Sequence, residues 1–289
     1  MANSDISQHG FDPDEIGEWS ERKIRIVAKY AQAYSTILAS QPYLKHFYID
    51  GFCGGGLAVR KGSRDVVLTT ARQILQIEPP FVGYHLIDAD PAKASAMRLA
   101  CAQRKGAEAH CGDANELLLP IFKTMRFDSF RRALCFLDPY KIQLSWGVLM
   151  GAAAAKTVET FIHFPTGDVQ RNVLRHDQSK VDPEEIGRMN RMWGDESWHT
   201  AAYADEPDLF GSRAVKQPID MVLAAFADRL RKVAGFKYVS KPLPMRNSTN
   251  AIIYHLMFAT QNKTGLRIAN DVLKAESAAK VTAHGNQLN

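Results

Sequence analysis

Apolar positions along the first half of the chain follow two alternating periods. From Ile24 to Leu38 they recur at three- and four-residue steps, which predicts an amphipathic helix, and the apolar run HFYIDGF that follows predicts a buried strand. The same alternation then predicts helices over 65–78, 91–106, 115–125 and 144–156, and strands over 81–88, 107–111, 133–138 and 158–164. Strands that are apolar throughout and separated by helices are typical of a parallel sheet covered on both faces.

The pattern changes after residue 165. Residues 166–235 are mostly helical in character, and 166–215 is too long for an ordinary connection, so we predict a helical insertion there. Two further strands, FKYVSKPL and AIIYHLMFAT, are separated by the loop PMRNSTN and predict a terminal antiparallel hairpin. We therefore predict a Rossmann-like domain over 19–165 and 216–275, with flexible tails over 1–18 and 276–289.

Composition narrows the class of protein. The 289 residues are 46% hydrophobic, enough for one large α/β domain with an insertion. We expect no membrane partner, because no run of 18 apolar residues occurs without a charge. The N-terminus lacks the layout of a secretory signal, so reduced cysteines in a cytoplasmic protein are expected. The four cysteines follow no zinc-binding spacing, and no metal site is predicted.

The net charge of +5 lies in the last part of the chain. From residue 236 onward there are seven Lys or Arg residues against two acidic ones, which accounts for the whole excess. A basic C-terminal region is compatible with a nucleic-acid partner, and equally with a solvated surface.

Aspartates fall where the predicted strands end. Asp50 closes the first of these strands, Asp88 the second and Asp138 the fourth, while Asp113 follows the third. Ligands of such sheets lie outside the carboxyl ends of the strands, so these four carboxylates are expected at one ligand-binding edge.

The acids suggest an adenosine-containing ligand. Asp88 could accept hydrogen bonds from both hydroxyls of a ribose, and Asp113 from the amine of an adenine, although Asp113 is equally suited to cap a helix. The glycine-rich stretch DGFCGGG lets backbone approach a ligand closely; the simpler alternative is a tight turn.

The residues at the entrance to this glycine loop distinguish between two candidate cofactors. A dinucleotide site wants G-x-G-x-x-G opening directly into a helix, whereas here Asp50 precedes the glycines and LAVRKGSRD follows them. A carboxylate would repel a pyrophosphate and suit an ammonium group, such as the amino end of a methionine moiety. The loop therefore favours S-adenosylmethionine over NAD.

At this point the motifs resemble known families. IDGFCGGG, LIDADP, GDA and LDPY are similar to the first four motifs of class I S-adenosylmethionine-dependent methyltransferases, and the terminal hairpin matches the antiparallel seventh strand of that fold. Together with WSERK at 19–23, they resemble more closely the three-Cys-motif partner proteins, called TcmP. The resemblance implies a Rossmann-like class I methyltransferase fold, with a seven-stranded, mostly parallel sheet.

The resemblance also implies roles for particular residues. The predicted cofactor-binding residues are Asp50, Gly51, Phe52, Gly54, Gly56, Asp88, Ala89, Asp113 and Ala114. Asp138, Pro139 and Tyr140 are predicted to be catalytic, because D-P-Y is similar to the D/N-P-P-Y/F motif of enzymes that methylate amines of nucleobases. The second proline of that motif is missing here, which puts amine methylation in doubt. The alternative is a strand end with Tyr140 in the core.

The sequence is compatible with three candidate functions. The first is S-adenosylmethionine-dependent methylation of a nucleic acid by direct displacement, which needs alignment more than acid–base catalysis. The second is a non-catalytic partner that keeps the cofactor-binding fold and docks a radical-chemistry iron–sulfur protein with the three-Cys motif, as the resemblance implies. The third, a nicotinamide dehydrogenase, fits the first loop and the terminal hairpin poorly.

Overall fold

The fold is built around one large mixed sheet. The computed structural model describes residues 11–208 and 211–285. Eight of the described strands form the central sheet: β2 (Lys45–Asp50), β5 (Gly83–Asp88), β6 (Ala107–Cys111), β7 (Arg131–Leu137), β8 (Val158–Phe164), β11 (Tyr238–Val239), β12 (Leu243–Arg246) and β13 (Ile252–Thr260). The spatial order is β6-β5-β2-β7-β8-β13, with β11 and β12 both pairing with β13.

Five strands of this sheet are parallel and the last is reversed. Strands β6, β5, β2, β7 and β8 pair in parallel, whereas β13 runs antiparallel to β8 with His255 opposite Phe164. The carboxyl ends of β2, β5 and β7 therefore meet at one edge, as the sequence predicts.

The central sheet has eight strands, whereas the resemblance implies seven. The predicted strand FKYVSKPL contributes only β11 and the first residue of β12, and β12 continues into PMRNSTN, which was expected to be a loop. Between the two strands, the Ser240 hydroxyl accepts from the Phe258 N–H at 2.9 Å, and Pro242 has no N–H to donate to β13.

Helices cover both faces of the sheet. Their bounds are α1 (Glu18–Ala39), α2 (Thr70–Ile74), α3 (Pro91–Cys101), α4 (Ala114–Thr124), α5 (Trp146–Ala155), α6 (Thr166–Asp168), α7 (Pro183–Trp193), α8 (Trp198–Ala202), α9 (Ile219–Arg229) and α10 (Lys263–Gly285). Helices α1, α2, α3 and α10 bury apolar side chains against one face, and α4, α5, α7 and α9 against the other. Phe47 and Tyr48 enter opposite layers because successive side chains of a strand alternate.

A small second sheet replaces part of a predicted helix. Residues 65–78 were expected to be helical, but β4 (Val66–Leu68) pairs antiparallel with β3 (Leu57–Arg60), and only α2 remains of the helix. β-branched valines favour the extended backbone, and the turn between the strands uses Gly62 at φ +96°.

This small sheet also contains part of the predicted N-terminal tail. Strand β1 (Asp14–Ile16) pairs in parallel with β3, and α1 begins at Glu18 after Gly17. Part of the predicted tail over 1–18 is therefore in regular structure; residues 1–10 lie outside the described residues. At the other end, α10 continues through 276–285, where a flexible tail was predicted, and 286–289 lie outside the described residues.

The insertion over 166–215 is not wholly helical. Helices α6, α7 and α8 are followed by an antiparallel hairpin of β9 (Tyr203–Asp208) and β10 (Gly211–Lys216). Trp193 and Trp198 are fully buried, so they form the core of this segment and offer no surface for stacking on a base.

Candidate functional site

A cavity of about 130 Å³ lies at the carboxyl edge of the sheet. The predicted residues Asp50, Phe52, Gly54 and Asp138 line it, together with Lys23 of α1 and Asp14 and Ile16 of β1. The other eight predicted residues do not line it: Gly51, Gly56, Asp88, Ala89, Asp113, Ala114, Pro139 and Tyr140. The structure therefore gathers the first loop and the end of β7 around one cavity and leaves the other predicted residues outside it.

Asp50 is a buried carboxylate at the floor of this cavity. Only 1% of the residue is exposed, and its oxygens accept from the Tyr48 hydroxyl at 2.9 Å and the Phe52 N–H at 3.1 Å. Burial raises the pKa of Asp50 to about 7, with Asp138 and Asp88 adding to the rise and the two hydrogen bonds opposing it. Among the described side chains, no Lys, Arg or His forms an ion pair with Asp50, so the carboxylate is suited to receive a cationic ligand group.

The glycine loop is held open by its backbone conformation and by Asp88. Gly54 and Gly56 adopt φ of +66° and +91°, which side chains rarely allow. The Gly54 N–H donates to Asp88 Oδ2 at 2.8 Å, and Asp88 Oδ1 accepts from the Asp90 N–H at 2.9 Å. Asp88 thus ties the loop to the end of β5, while each of its oxygens keeps a further lone pair for a ligand.

Gly51 and Gly55 are glycines for steric reasons. A Cβ at Gly51 would lie 3.1 Å from Leu118, and one at Gly55 would lie 2.3 Å from the Phe11 ring. Phe11 therefore packs directly over the loop. The Asp14 carboxylate next to it is bound by Lys93 Nζ at 2.6 Å, so the segment before α1 covers this part of the site.

Asp113 caps a helix. Its Oδ1 accepts from the Asn115 N–H at 2.8 Å and from the Asn115 side chain at 3.0 Å, at the start of α4. Asp113 and Ala89 are exposed, whereas Ala114 is buried beneath Gly51. Asp90 likewise caps α3, where its side chain accepts from the Ala92 and Lys93 N–H groups.

Asp138 is already paired on both oxygens. Lys23 Nζ binds Oδ2, and His163 Nδ1 lies 2.6 Å from Oδ1. Burial raises the pKa of the Asp138 carboxyl, but the Lys23 ammonium and the His163 hydrogen bond outweigh it and hold that pKa well below its usual range. Burial lowers the pKa of His163, against the opposing effect of Asp138.

The Lys23 side chain is enclosed by aromatic rings. It is 8% exposed, and its Nζ lies 5.2 Å from the centre of the Tyr254 ring and 5.9 Å from that of Phe136. Lys23 is not among the predicted site residues, because nothing in the local pattern links it to an aspartate 115 positions away.

Tyr140 lies at the surface. It is 83% exposed, so the alternative that placed it in the core is wrong, and Pro139 beside it is buried. A ring in this position is accessible to a large ligand.

No family model matches the sequence, and a comparison with curated proteins likewise finds no match. Among solved structures, the chain is similar to a protein from Legionella pneumophila str. Philadelphia 1, with 8% identity and a TM-score of 0.42 over 88% of this chain and 92% of that one. It is also similar to a protein from Thermobifida fusca YX named as a candidate methyltransferase, with 12% identity and a TM-score of 0.36 over 81% of this chain and 80% of that one. At these TM-scores neither likeness establishes a shared fold. Within the described residues, no helix is both long and apolar enough to cross a membrane.

Proposed function

We propose that the chain binds S-adenosylmethionine at the carboxyl edge of its sheet and transfers the methyl group to a nucleic acid. The observation that carries the proposal is Asp50: a buried carboxylate beside a glycine loop, with no cationic partner among the described side chains. A parallel sheet that ends in an antiparallel strand agrees with the class I resemblance.

Different residues of the site suit different parts of such a cofactor. Asp50 would receive the ammonium of the methionine moiety, and the backbone at Gly54 leaves room for it. Asp88 would accept from the ribose hydroxyls, and the free Oδ2 of Asp113 from the adenine amine. The cavity beside Asp50 suits the amino-acid end, and the exposed edge at Ala89 and Asp113 suits the adenosine.

The cofactor supplies a methyl group activated on sulfur. The chain would contribute alignment and the exclusion of water, since displacement at a methyl carbon needs little acid–base help. The exposed Tyr140 would stack on a base, and the basic C-terminal region would meet the phosphate backbone.

Transfer of labelled methyl from the cofactor to DNA or RNA tests this function. We expect incorporation by the wild type and its loss in Asp138→Ala, with Asp177→Ala, an exposed aspartate of the insertion, as the matched control. Cofactor binding with no transfer to either nucleic acid would count against the methyltransferase activity.

The pairing of Asp138 favours a second candidate, the accessory partner protein. With Lys23 on Oδ2 and His163 on Oδ1, an amine substrate would have to share the Asp138 carboxylate with two groups that already bind it. We propose that in this case the fold binds the cofactor without turnover and docks a three-Cys-motif iron–sulfur protein. Stable co-purification with such a protein, without methyl transfer, supports this candidate over the first.

A further inference from the structure

Three metal-ligating side chains meet at the outer edge of the central sheet, away from the cofactor cavity. His85 belongs to β5, and Glu108 and His110 belong to the edge strand β6. His85 is in register with Glu108, and Glu108 and His110 share one face because they are two residues apart on a strand. In the described part of the chain, this is the group of three such residues whose ligand atoms lie within 4.8 Å of one another.

The distances between these ligand atoms match a tetrahedral metal centre. His85 Nδ1 lies 3.4 Å from His110 Nε2, and each of these nitrogens lies 3.7 Å from Glu108 Oε2. Zinc bonds of about 2.0–2.2 Å in tetrahedral geometry separate their ligand atoms by about 3.3–3.5 Å. The triangle therefore needs to contract by only a few tenths of an ångström.

The surroundings hold the imidazole rings in place. The His85 ring stacks on Phe47 with centroids 6.3 Å apart and planes 11° apart, and it stacks on the His110 ring at 5.6 Å and 30°. The imidazole nitrogen is a common metal ligand in proteins.

Solvent can complete the coordination. The Glu108 side chain is 64% exposed and that of His110 is 33% exposed, so a water molecule can reach the fourth position. Two imidazoles, one carboxylate and a water form a donor set that zinc commonly takes in proteins.

We propose that His85, Glu108 and His110 bind one divalent transition-metal ion, Zn²⁺ above all, with water as the fourth ligand. The ion ties the edge strand β6 to β5. Because His110 lies three residues before Asp113, the ion also fixes the end of β6 from which the proposed adenine contact emerges. The metal site itself does not depend on the proposed function.

The neighbouring Cys111 is the main competitor for the metal. It is an exposed thiol next to His110, but alternation along β6 turns it to the opposite face, where its Sγ lies 4.0 Å from the Ala89 carbonyl oxygen. A Cys111→Ser variant separates a thiol site from the proposed one.

Calorimetric titration of zinc sulfate into the full chain, after treatment with a chelator, tests the proposal. We expect one ion per chain, at least about a tenfold loss of affinity in each of His85→Gln, Glu108→Gln and His110→Gln, and a higher unfolding temperature with Zn²⁺ in the wild type. The control His176→Gln, at an exposed histidine of the insertion, and Cys111→Ser should bind as the wild type does.

Two results would overturn the proposal. One is unchanged zinc affinity in Glu108→Gln, whose exposed side chain can be replaced without disturbing the fold, together with unchanged affinity in a folded His85→Gln/His110→Gln variant. The other is loss of binding in Cys111→Ser, or a thiolate charge-transfer band in the Co²⁺-substituted protein.

Discussion

The ionisation of Asp50 makes the affinity for S-adenosylhomocysteine depend on pH. The pKa of this buried carboxyl is raised to about 7, so about nine-tenths of the free protein carries the negative charge at pH 8 and about one-tenth at pH 6. If only the charged form binds the ligand ammonium, the affinity falls about tenfold between pH 8 and pH 6, or about 1.4 kcal/mol. Asp50→Asn keeps the shape of the side chain and removes the charge, so its affinity should be low and nearly constant over this range.

Isothermal titration calorimetry of S-adenosylhomocysteine at pH 8, 7 and 6 measures the effect. The ligand amine stays protonated across this interval, so Asp50 and the histidines of the protein are the relevant titrating groups. The same measurements on Asp50→Asn separate the effect of Asp50 from that of the histidines, because this variant keeps His163 unchanged. An affinity in the wild type that does not vary with pH, or the same variation in Asp50→Asn, would refute the assignment of Asp50 as the partner of the ammonium.

Three further outcomes follow from the site. The pKa of Asp50 is about 7 in the folded protein, against an ordinary value of 3.8, so its contribution to the free energy of unfolding falls as pH rises from about 4 to 7, by up to about 4 kcal/mol. Chemical denaturation at several pH values measures this fall, and the Asp50→Asn variant should not show it. Lys23→Met leaves Asp138 without its cation and should cost about 3–5 kcal/mol of stability, whereas Lys105→Met, at an exposed lysine, should cost no more than about 1 kcal/mol; equal losses in the two would contradict the importance of the buried pair. Tyr140→Ala should leave S-adenosylhomocysteine affinity unchanged and weaken single-stranded nucleic acid binding by about 1–3 kcal/mol, and unchanged binding in a filter assay would exclude stacking.

Local patterns predict the parts of the fold that are long and periodic. Strand β6 has the predicted bounds, 107–111. These features depend on near neighbours in the chain, which is why a single sequence shows them.

Short and non-local features escape such patterns. Strand β1 has three residues and exists because β3 pairs with it, and Val66–Leu68 is too short to show a period of its own. The hairpin of β9 and β10 was likewise hidden within a segment of helical character.

The same difference between local and non-local features applies to the candidate site. The aspartates at the strand ends are predictable because strand ends are visible in the sequence. The pairing of Asp138 with Lys23 and His163 depends on α1 crossing the end of β7 and on the neighbouring strand β8. Because of this pairing, a substrate at D-P-Y meets a carboxylate that already has two partners.

The central claim is that the carboxyl edge of the sheet binds S-adenosylmethionine. Calorimetric titration of S-adenosylhomocysteine at pH 8 into the wild type, Asp88→Ala and the control Asp177→Ala tests it most directly. The account predicts one ligand per wild-type chain, unchanged binding in the control, and at least about a tenfold weaker affinity in Asp88→Ala, since two hydrogen bonds from the ribose to a charged group are worth about 1.5–3 kcal/mol each. No binding to the folded wild type, or equal affinity in Asp88→Ala, would contradict it.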